Sequence, residues 1–171
     1  MASRSRPRTT TGRDRTQAHD EAARQVLRQF RQVFNAVKTH FQQVERKVGL
    51  GGAQVWALSV IQKSPGIGVG ALAAAMNIHQ STASNLVRAL VERELVTVSR
   101  DPDDRRVVQL KLLAKGARLL RRTPGPYAGV LPEALAALDA RTLKRIQTDL
   151  AKLIDVLAVD DRSGEIPLAE L

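Results

Sequence analysis

Residues 67–113 decide the fold: IGVGALAAAMNIHQSTASNLVRALVERELVTVSRDPDDRRVVQLKLL. Two helix-length segments in this stretch flank Asn77, a residue type that tolerates the left-handed backbone needed to reverse a helix. Two alternating segments then enclose an acidic and basic tip, which predicts a β-hairpin. A short helix pair followed by such a hairpin can place one helix in the major groove of DNA and arginines in the neighbouring minor groove.

The hairpin prediction rests on the alternation of apolar and polar side chains along residues 95–100 and 108–112. Alternate residues of a strand point to opposite faces, so the apolar members should share one inward face. The expected inward residues are Val96 and Val98 on the first strand, and Val108, Leu110 and Leu112 on the second.

The second helix of the pair, residues 80–93, should present a polar face to DNA. Small hydroxyl side chains near its start can bond phosphates or base edges, helped by the helix dipole. An asparagine can pair with adenine, and an arginine with guanine or a phosphate. An ordinary solvated helix face has a similar composition, so this prediction depends on the adjacent turn and hairpin. The predicted contact residues are Gln80, Ser81, Thr82, Ser84, Asn85 and Arg88.

The tip of the predicted hairpin combines two aspartates with two arginines. A carboxylate can bond a guanidinium and hold it extended, which suits insertion into a narrow minor groove of strongly negative potential. We expect Asp104 to orient Arg106 in this way. Arg105 either enters the groove or forms a structural ion pair.

Composition favours a polyanionic partner, because the 171 residues carry a formal net charge of +10. Nucleic acid is the first choice, and an anionic membrane surface the second. The chain has no cysteine, which excludes disulfides and thiolate metal sites and is compatible with a cytoplasmic location. No apolar stretch is long enough to span a membrane. Residues 1–19, rich in arginine and without apolar periodicity, are expected to form a disordered basic arm that adds phosphate contacts or is simply solvated.

Two amphipathic helices at opposite ends of the chain suggest a homodimer. One covers residues 20–49, and the other ends the C-terminal region 114–158, where a break at residues 123–126 precedes a helix restarting near Pro132. Asp139 is positioned to cap the last helix. The stripes pack on each other and on a second copy, or they complete a monomer core. Their members are Phe30, Phe34, Val37, Phe41, Val44 and Val48 in the first helix, and Leu143, Ile146, Leu150, Leu153 and Leu157 in the last.

The chain resembles the MarR family of winged-helix transcriptional regulators over about residues 20–158. The resemblance lies in residues 72–78, 81–90 and 94–96, in the tip at 101–106, and in residues 112–116. It implies a homodimer joined through its N- and C-terminal helices. It also implies binding to a palindromic operator, usually as a repressor, with release by a small phenolic or aromatic carboxylate bound between the dimerisation and DNA-binding lobes.

The sequence departs from the family pattern at several positions. Asn85 stands where arginine is common, so we expect a base preference different from that of other members. His79 replaces the usual serine or aspartate cap, and Leu113 replaces a common threonine cap. The break at residues 123–126 interrupts what is often one long helix.

Three residues are candidates for contact with an aromatic effector: His40, Trp56 and Tyr127. His40 could donate to a carboxylate, although an ordinary histidine on the surface or in an interface fits the same sequence pattern. Trp56 is more often a core residue, and Tyr127 could close a pocket beside the helix break. The histidines are far apart in sequence, so no metal site is expected, and nothing indicates a cofactor.

The predicted fold is mainly α with a small β-hairpin: a winged helix-turn-helix at residues 50–113, a dimerisation lobe from the terminal helices, and a tail at 159–171. The predicted function is sequence-specific transcriptional regulation through double-stranded DNA. A non-specific or architectural nucleic-acid-binding protein is the alternative, and a protein-interaction module is a third hypothesis. An enzyme is not expected, because the sequence has no nucleophile–base pair or phosphate-binding glycine loop.

Overall fold

The computed structural model describes residues 12–100 and 108–170, with side chains left out at residues 12–14, 100, 161–162 and 170. The chain divides into two units between Ala36 and Val37. The helices and strands follow in the order α1 (Gly12–Val48), α2 (Gly52–Lys63), α3 (Val69–Met76), α4 (Gln80–Glu92), β1 (Val96–Arg100), β2 (Val108–Leu112), α5 (Ala114–Arg122), α6 (Val130–Ala136) and α7 (Ala140–Leu157), with short 3-10 helices at Asp161–Glu165 and Leu168–Glu170.

The first unit contains the N-terminal part of α1, which begins earlier than the sequence pattern predicts. The helix starts at Gly12, so residues 12–19 are helical and the predicted disordered arm is wrong there. This segment continues the helix that follows it, because extending an existing helix costs less than nucleating a new one. Residues 1–11 of the arm lie outside the described part. Farther along, the rings of Phe30 and Phe34 stack with centroids 6.4 Å apart.

The core of the second unit is formed where α2, α3 and α4 pack together. Asn77 ends α3 in the left-handed conformation, with φ 51° and ψ 47°, which confirms the predicted reversal. The following residue, Ile78, is buried and its N–H donates to the Ala73 carbonyl. The largest fully buried side chains of these three helices are Leu58, Ile61, Leu72, Met76 and Leu90.

The two strands form the expected antiparallel hairpin, with Val96 opposite Leu112 and Arg100 opposite Val108. Residues 66–67 hydrogen-bond to the Leu110 backbone on the other side of β2, so β1 is the outer strand. This position explains one difference from the prediction. Leu110 is fully buried, whereas Val98, directly opposite it, is 45% exposed instead of inward.

The C-terminal helices begin and end close to the predicted positions. Helix α5 ends at Arg122, just before the Thr-Pro-Gly-Pro break. Helix α6 begins at Val130 rather than Pro132, because the third position of a helix also needs no N–H donor and tolerates proline. Helix α7 has no buried residue. Over the described residues, no helix is both long and apolar enough to cross a membrane.

Candidate nucleic-acid interface

Helix α4 has one apolar face in the core and one polar face in solvent. The buried side chains are Ala83, Leu86, Val87 and Leu90. On the other side, the predicted DNA contacts Gln80, Ser81, Asn85 and Arg88 are exposed, and Thr82 and Ser84 are half-buried. The fold therefore brings all six predicted residues to one side of a single helix, which is supported from beneath by four apolar side chains.

The start of α4 carries an unusual histidine cap. The Ser81 backbone N–H donates to Nδ1 of His79 at 3.3 Å, and the Ser81 hydroxyl lies 2.8 Å from the same nitrogen. The Ser84 hydroxyl donates to the Gln80 carbonyl at 2.9 Å. His79 thus takes the capping role that serine or aspartate usually fills. Both hydroxyls are already engaged, so a phosphate or base would have to compete with these bonds.

The C-terminal end of α4 is fastened to neighbouring elements by long cationic side chains. Arg93 donates to the Gly49 carbonyl at 2.7 Å, just beyond the end of α1. Lys115 on α5 donates to the Arg93 carbonyl at 2.8 Å and lies 3.5 Å from a carboxylate oxygen of Glu94. These contacts fix the axis of α4 at the base of the hairpin.

Helix α5 starts close against the hairpin because of Gly116. A β-carbon at this position would lie 2.5 Å from the Leu95 carbonyl oxygen, too close for any side chain. The N–H of Leu113 also donates to that carbonyl at 2.9 Å. As predicted for a leucine in this place, Leu113 supplies no side-chain cap to α5. Backbone proximity therefore sets the start of the helix.

The hairpin tip contains the remaining predicted DNA contacts. Asp104, Arg105 and Arg106 fall within residues 101–107, outside the described residues. The last described pair of the hairpin is Arg100 and Val108. The predicted pairing of Asp104 with Arg106 therefore stays a prediction.

The three candidate effector contacts lie near the break after α5, but two of them already form hydrogen bonds with backbone carbonyl groups. His40 Nε2 donates to the Pro126 carbonyl at 3.0 Å, and the Tyr127 hydroxyl donates to the Leu120 carbonyl at 3.3 Å. Trp56 is half-buried against the core. A recess of about 370 Å³ has Trp56 and Tyr127 in its wall, together with Lys63 and Glu133.

A second, more apolar cavity of about 200 Å³ is also lined by Trp56. The sequence analysis did not assign Phe41 or Met76 to a pocket, because Phe41 belongs to the predicted apolar stripe of the first helix and Met76 only marks the end of the next helix but one. Nor did it place the C-terminal segment here, although buried Pro167 and its neighbours Ile166 and Leu168 complete the wall. In the sequence, only the short apolar run at residues 166–169 indicates that the C-terminal segment packs against the rest of the protein.

Comparison with known proteins identifies the winged-helix segment. Residues 48–107 match the model of the MarR family. This segment is therefore similar to proteins of the MarR family. The matched residues run from the end of α1 to the hairpin, and they include the whole of α3 and α4. No curated protein sequence matches the chain.

Solved structures of MarR-type proteins share the fold at low sequence identity. A MepR-like protein complexed with pseudoligands is 19% identical, with a TM-score of 0.55, over 78% of this chain and 94% of that one. The S. aureus MepR–DNA complex is 20% identical, with a TM-score of 0.52, over 75% and 93%. YusO from Bacillus subtilis is 19% identical, with a TM-score of 0.50, over 80% and 96%. These likenesses confirm the predicted mainly helical winged-helix fold.

Proposed function

We propose that this protein is a homodimeric, sequence-specific DNA-binding transcriptional regulator that represses a palindromic operator. The observation that carries the proposal is the polar face of α4 on a MarR-type winged helix. The exposed Gln80, Asn85 and Arg88 can read base edges or grip phosphates. The related MepR of S. aureus was crystallised with DNA, which supports the same use of the fold here.

Exposed apolar side chains on α7 support the homodimer. Leu150, Leu153 and Leu157 repeat at intervals of three and four residues and are 37%, 39% and 61% exposed. Apolar stripes of this kind are covered in soluble proteins by a partner surface. A second copy also suits DNA recognition, since two half-sites about 34–36 Å apart give far more specificity than one.

The same kind of exposure occurs on α1 in the first unit. Leu27, Val33 and Phe34 are between 43% and 54% exposed on this helix. In our proposal, this part of α1 contributes to the dimerisation lobe. An aromatic or phenolic carboxylate would release the DNA from a site that includes Trp56 and Tyr127, with His40 as a donor once it leaves the Pro126 carbonyl.

Selection of bound sequences from a random duplex library tests the proposal. We expect an enriched inverted repeat, and a gel shift on that sequence that a random duplex of equal length does not reproduce. Replacing Arg106 with alanine should weaken operator binding by about 1–3 kcal/mol. Equal affinity for all duplexes, with no effect of Arg106→Ala and full loss on deletion of residues 1–11, would favour the architectural alternative instead.

A further inference from the structure

The end of α1 and one face of α5 enclose a strongly basic recess of about 320 Å³. Its floor is apolar, formed by Val48 and Leu119, which are half-buried against the core. Around this floor stand four cationic side chains and, among the described lining residues, no acidic one. The cations are Lys47 on α1 and Lys115, Arg118 and Arg122 on α5.

The positive charge in this recess is only slightly compensated by neighbouring carboxylates. Glu94 lies 3.5 Å from Lys115, and both side chains are largely exposed, at 80% and 55%. The three cations of α5 occur at intervals of three and four residues on one helix face, where like charges repel. A concave surface lined by one sign of charge concentrates its field and attracts the opposite ion.

The recess is separate from the proposed DNA-reading face. It adjoins the C-terminal end of α4, because Lys115 bonds to the Arg93 carbonyl. Gln80 begins α4 at its other end, and a helix of 13 residues is about 20 Å long. The recess also lies near the end of the hairpin that leads into α5, since Lys115 follows β2 after two residues, whereas Arg100 and Val108 form the other described end of the strands.

We propose that this recess binds a small polyanion, a molecule carrying phosphoryl groups or several carboxylates. Cations from two separate helices converge on it, so a bound polyanion would bridge the end of α1 to α5. The first helix leads to the proposed dimerisation surface and the second leads out of the hairpin. Such a ligand would be chemically distinct from an aromatic effector at Trp56 and Tyr127.

Calorimetric titration of the full chain with sodium pyrophosphate, at ionic strength held constant with sodium chloride, tests this proposal. We expect saturable binding of one pyrophosphate per protomer. Replacing Arg118 with glutamine, or Lys47 on the opposite wall, should weaken this binding by roughly fivefold, as expected for loss of one exposed charge contact. Citrate in place of pyrophosphate shows whether carboxylates serve as well as phosphoryl groups.

Arg121→Gln is the matched control, because Arg121 is exposed on the same helix but does not line the recess. It should change pyrophosphate affinity by less than about twofold, since only the general charge is altered. Thermal unfolding of each variant checks that the fold is retained. The proposal is overturned if pyrophosphate and citrate both fail to saturate, or if Arg121→Gln weakens binding as much as Arg118→Gln.

Measuring operator affinity as well distinguishes failure of this proposal from failure of the proposed function. Arg118→Gln should leave affinity for the selected operator within about twofold, since the recess lies away from the reading face. If the variant instead loses operator affinity while pyrophosphate never binds, the recess is a phosphate-backbone contact, and the small-polyanion proposal is wrong. Failure of the chain to select any operator would refute the proposed function and leave the pyrophosphate result standing.

Discussion

The ring of Phe41 occupies the space where a β-carbon on Gly52 would have to lie. A β-carbon at Gly52 would overlap three carbons of that ring, including the one that joins it to the rest of the side chain. A β-carbon at Gly129 would also meet the ring, 2.7 Å from its Cζ. Phe41 is therefore held between the start of α2 and the start of α6, and it forms part of the apolar cavity beside Trp56.

Replacing Gly52 with alanine should lower stability by about 1–3 kcal/mol, the usual effect of overfilling a packed site. Chemical denaturation followed by circular dichroism measures the change. Gly70→Ala is the control, because its β-carbon would meet nothing within 4 Å. The control should stabilise the protein slightly, by up to about 1 kcal/mol, since alanine is favoured over glycine in a helix. Equal effects at the two positions would contradict the packing of Phe41.

Asp139 gives α7 a pH-dependent cap. Its carboxylate accepts bonds from the Thr142 hydroxyl at 2.7 Å and the Thr142 N–H at 3.0 Å, and these bonds lower the pKa of Asp139. The resulting stability is therefore fully present above the unfolded-state pKa of about 3.9, and it is lost as pH falls through the lower folded-state pKa.

Comparison of the parent chain with Asp139→Asn isolates this contribution, because asparagine caps a helix without a charge. The difference in Tm should be constant between about pH 5 and 7, a few degrees at most, and should shrink below about pH 4. Thermal melts across this range measure it. A difference that grows on acidification would show that the charged cap is not stabilising.

Replacing Asn85 with alanine should reduce discrimination between operator and random DNA by about 1–3 kcal/mol, through loss of a base-edge contact. Affinity for random DNA should change little, because that binding depends on phosphate contacts. Competition gel shifts at fixed salt provide both values. Arg88→Ala is a useful comparison: a uniform loss across all sequences would assign Arg88 to a phosphate. If the Asn85 variant discriminates between operator and random DNA as well as the parent chain does, Asn85 does not contact the bases.

Placing lysine at Leu153 should weaken dimerisation by at least about tenfold, since an unpaired charge would be buried in the proposed interface. Sedimentation equilibrium measures the dissociation constant. Thr148→Lys introduces the same charge on the opposite side of α7, about 180° around the helix from the stripe, and should leave the dimer intact. If both variants dimerise equally well, the stripe on α7 is not the dimer surface.

Some differences between expectation and structure arise where local and long-range forces compete. Residues 12–19 lack an apolar stripe, yet α1 extends through them as a continuation of the helix that follows. Val98 has the correct alternation for an inward residue, but only the position of β2 between β1 and residues 66–67 decides that it is exposed. The alternation of apolar and polar residues along a strand predicts which side chains share a face. It does not reveal which strand lies at the edge of the sheet.

The residues themselves determined the local architecture, because these features depend on neighbours a few positions apart. The turn at Asn77, the break before Pro124, the cap at Asp139 and the polar face of α4 all follow from local conformational preference and helical periodicity. Only the tertiary structure decided that Phe41 fits between Gly52 and Gly129, and that Lys47 meets the cations of α5. Those residues are separated by long stretches of chain, and it is the packing of helices against a shared core that brings them together.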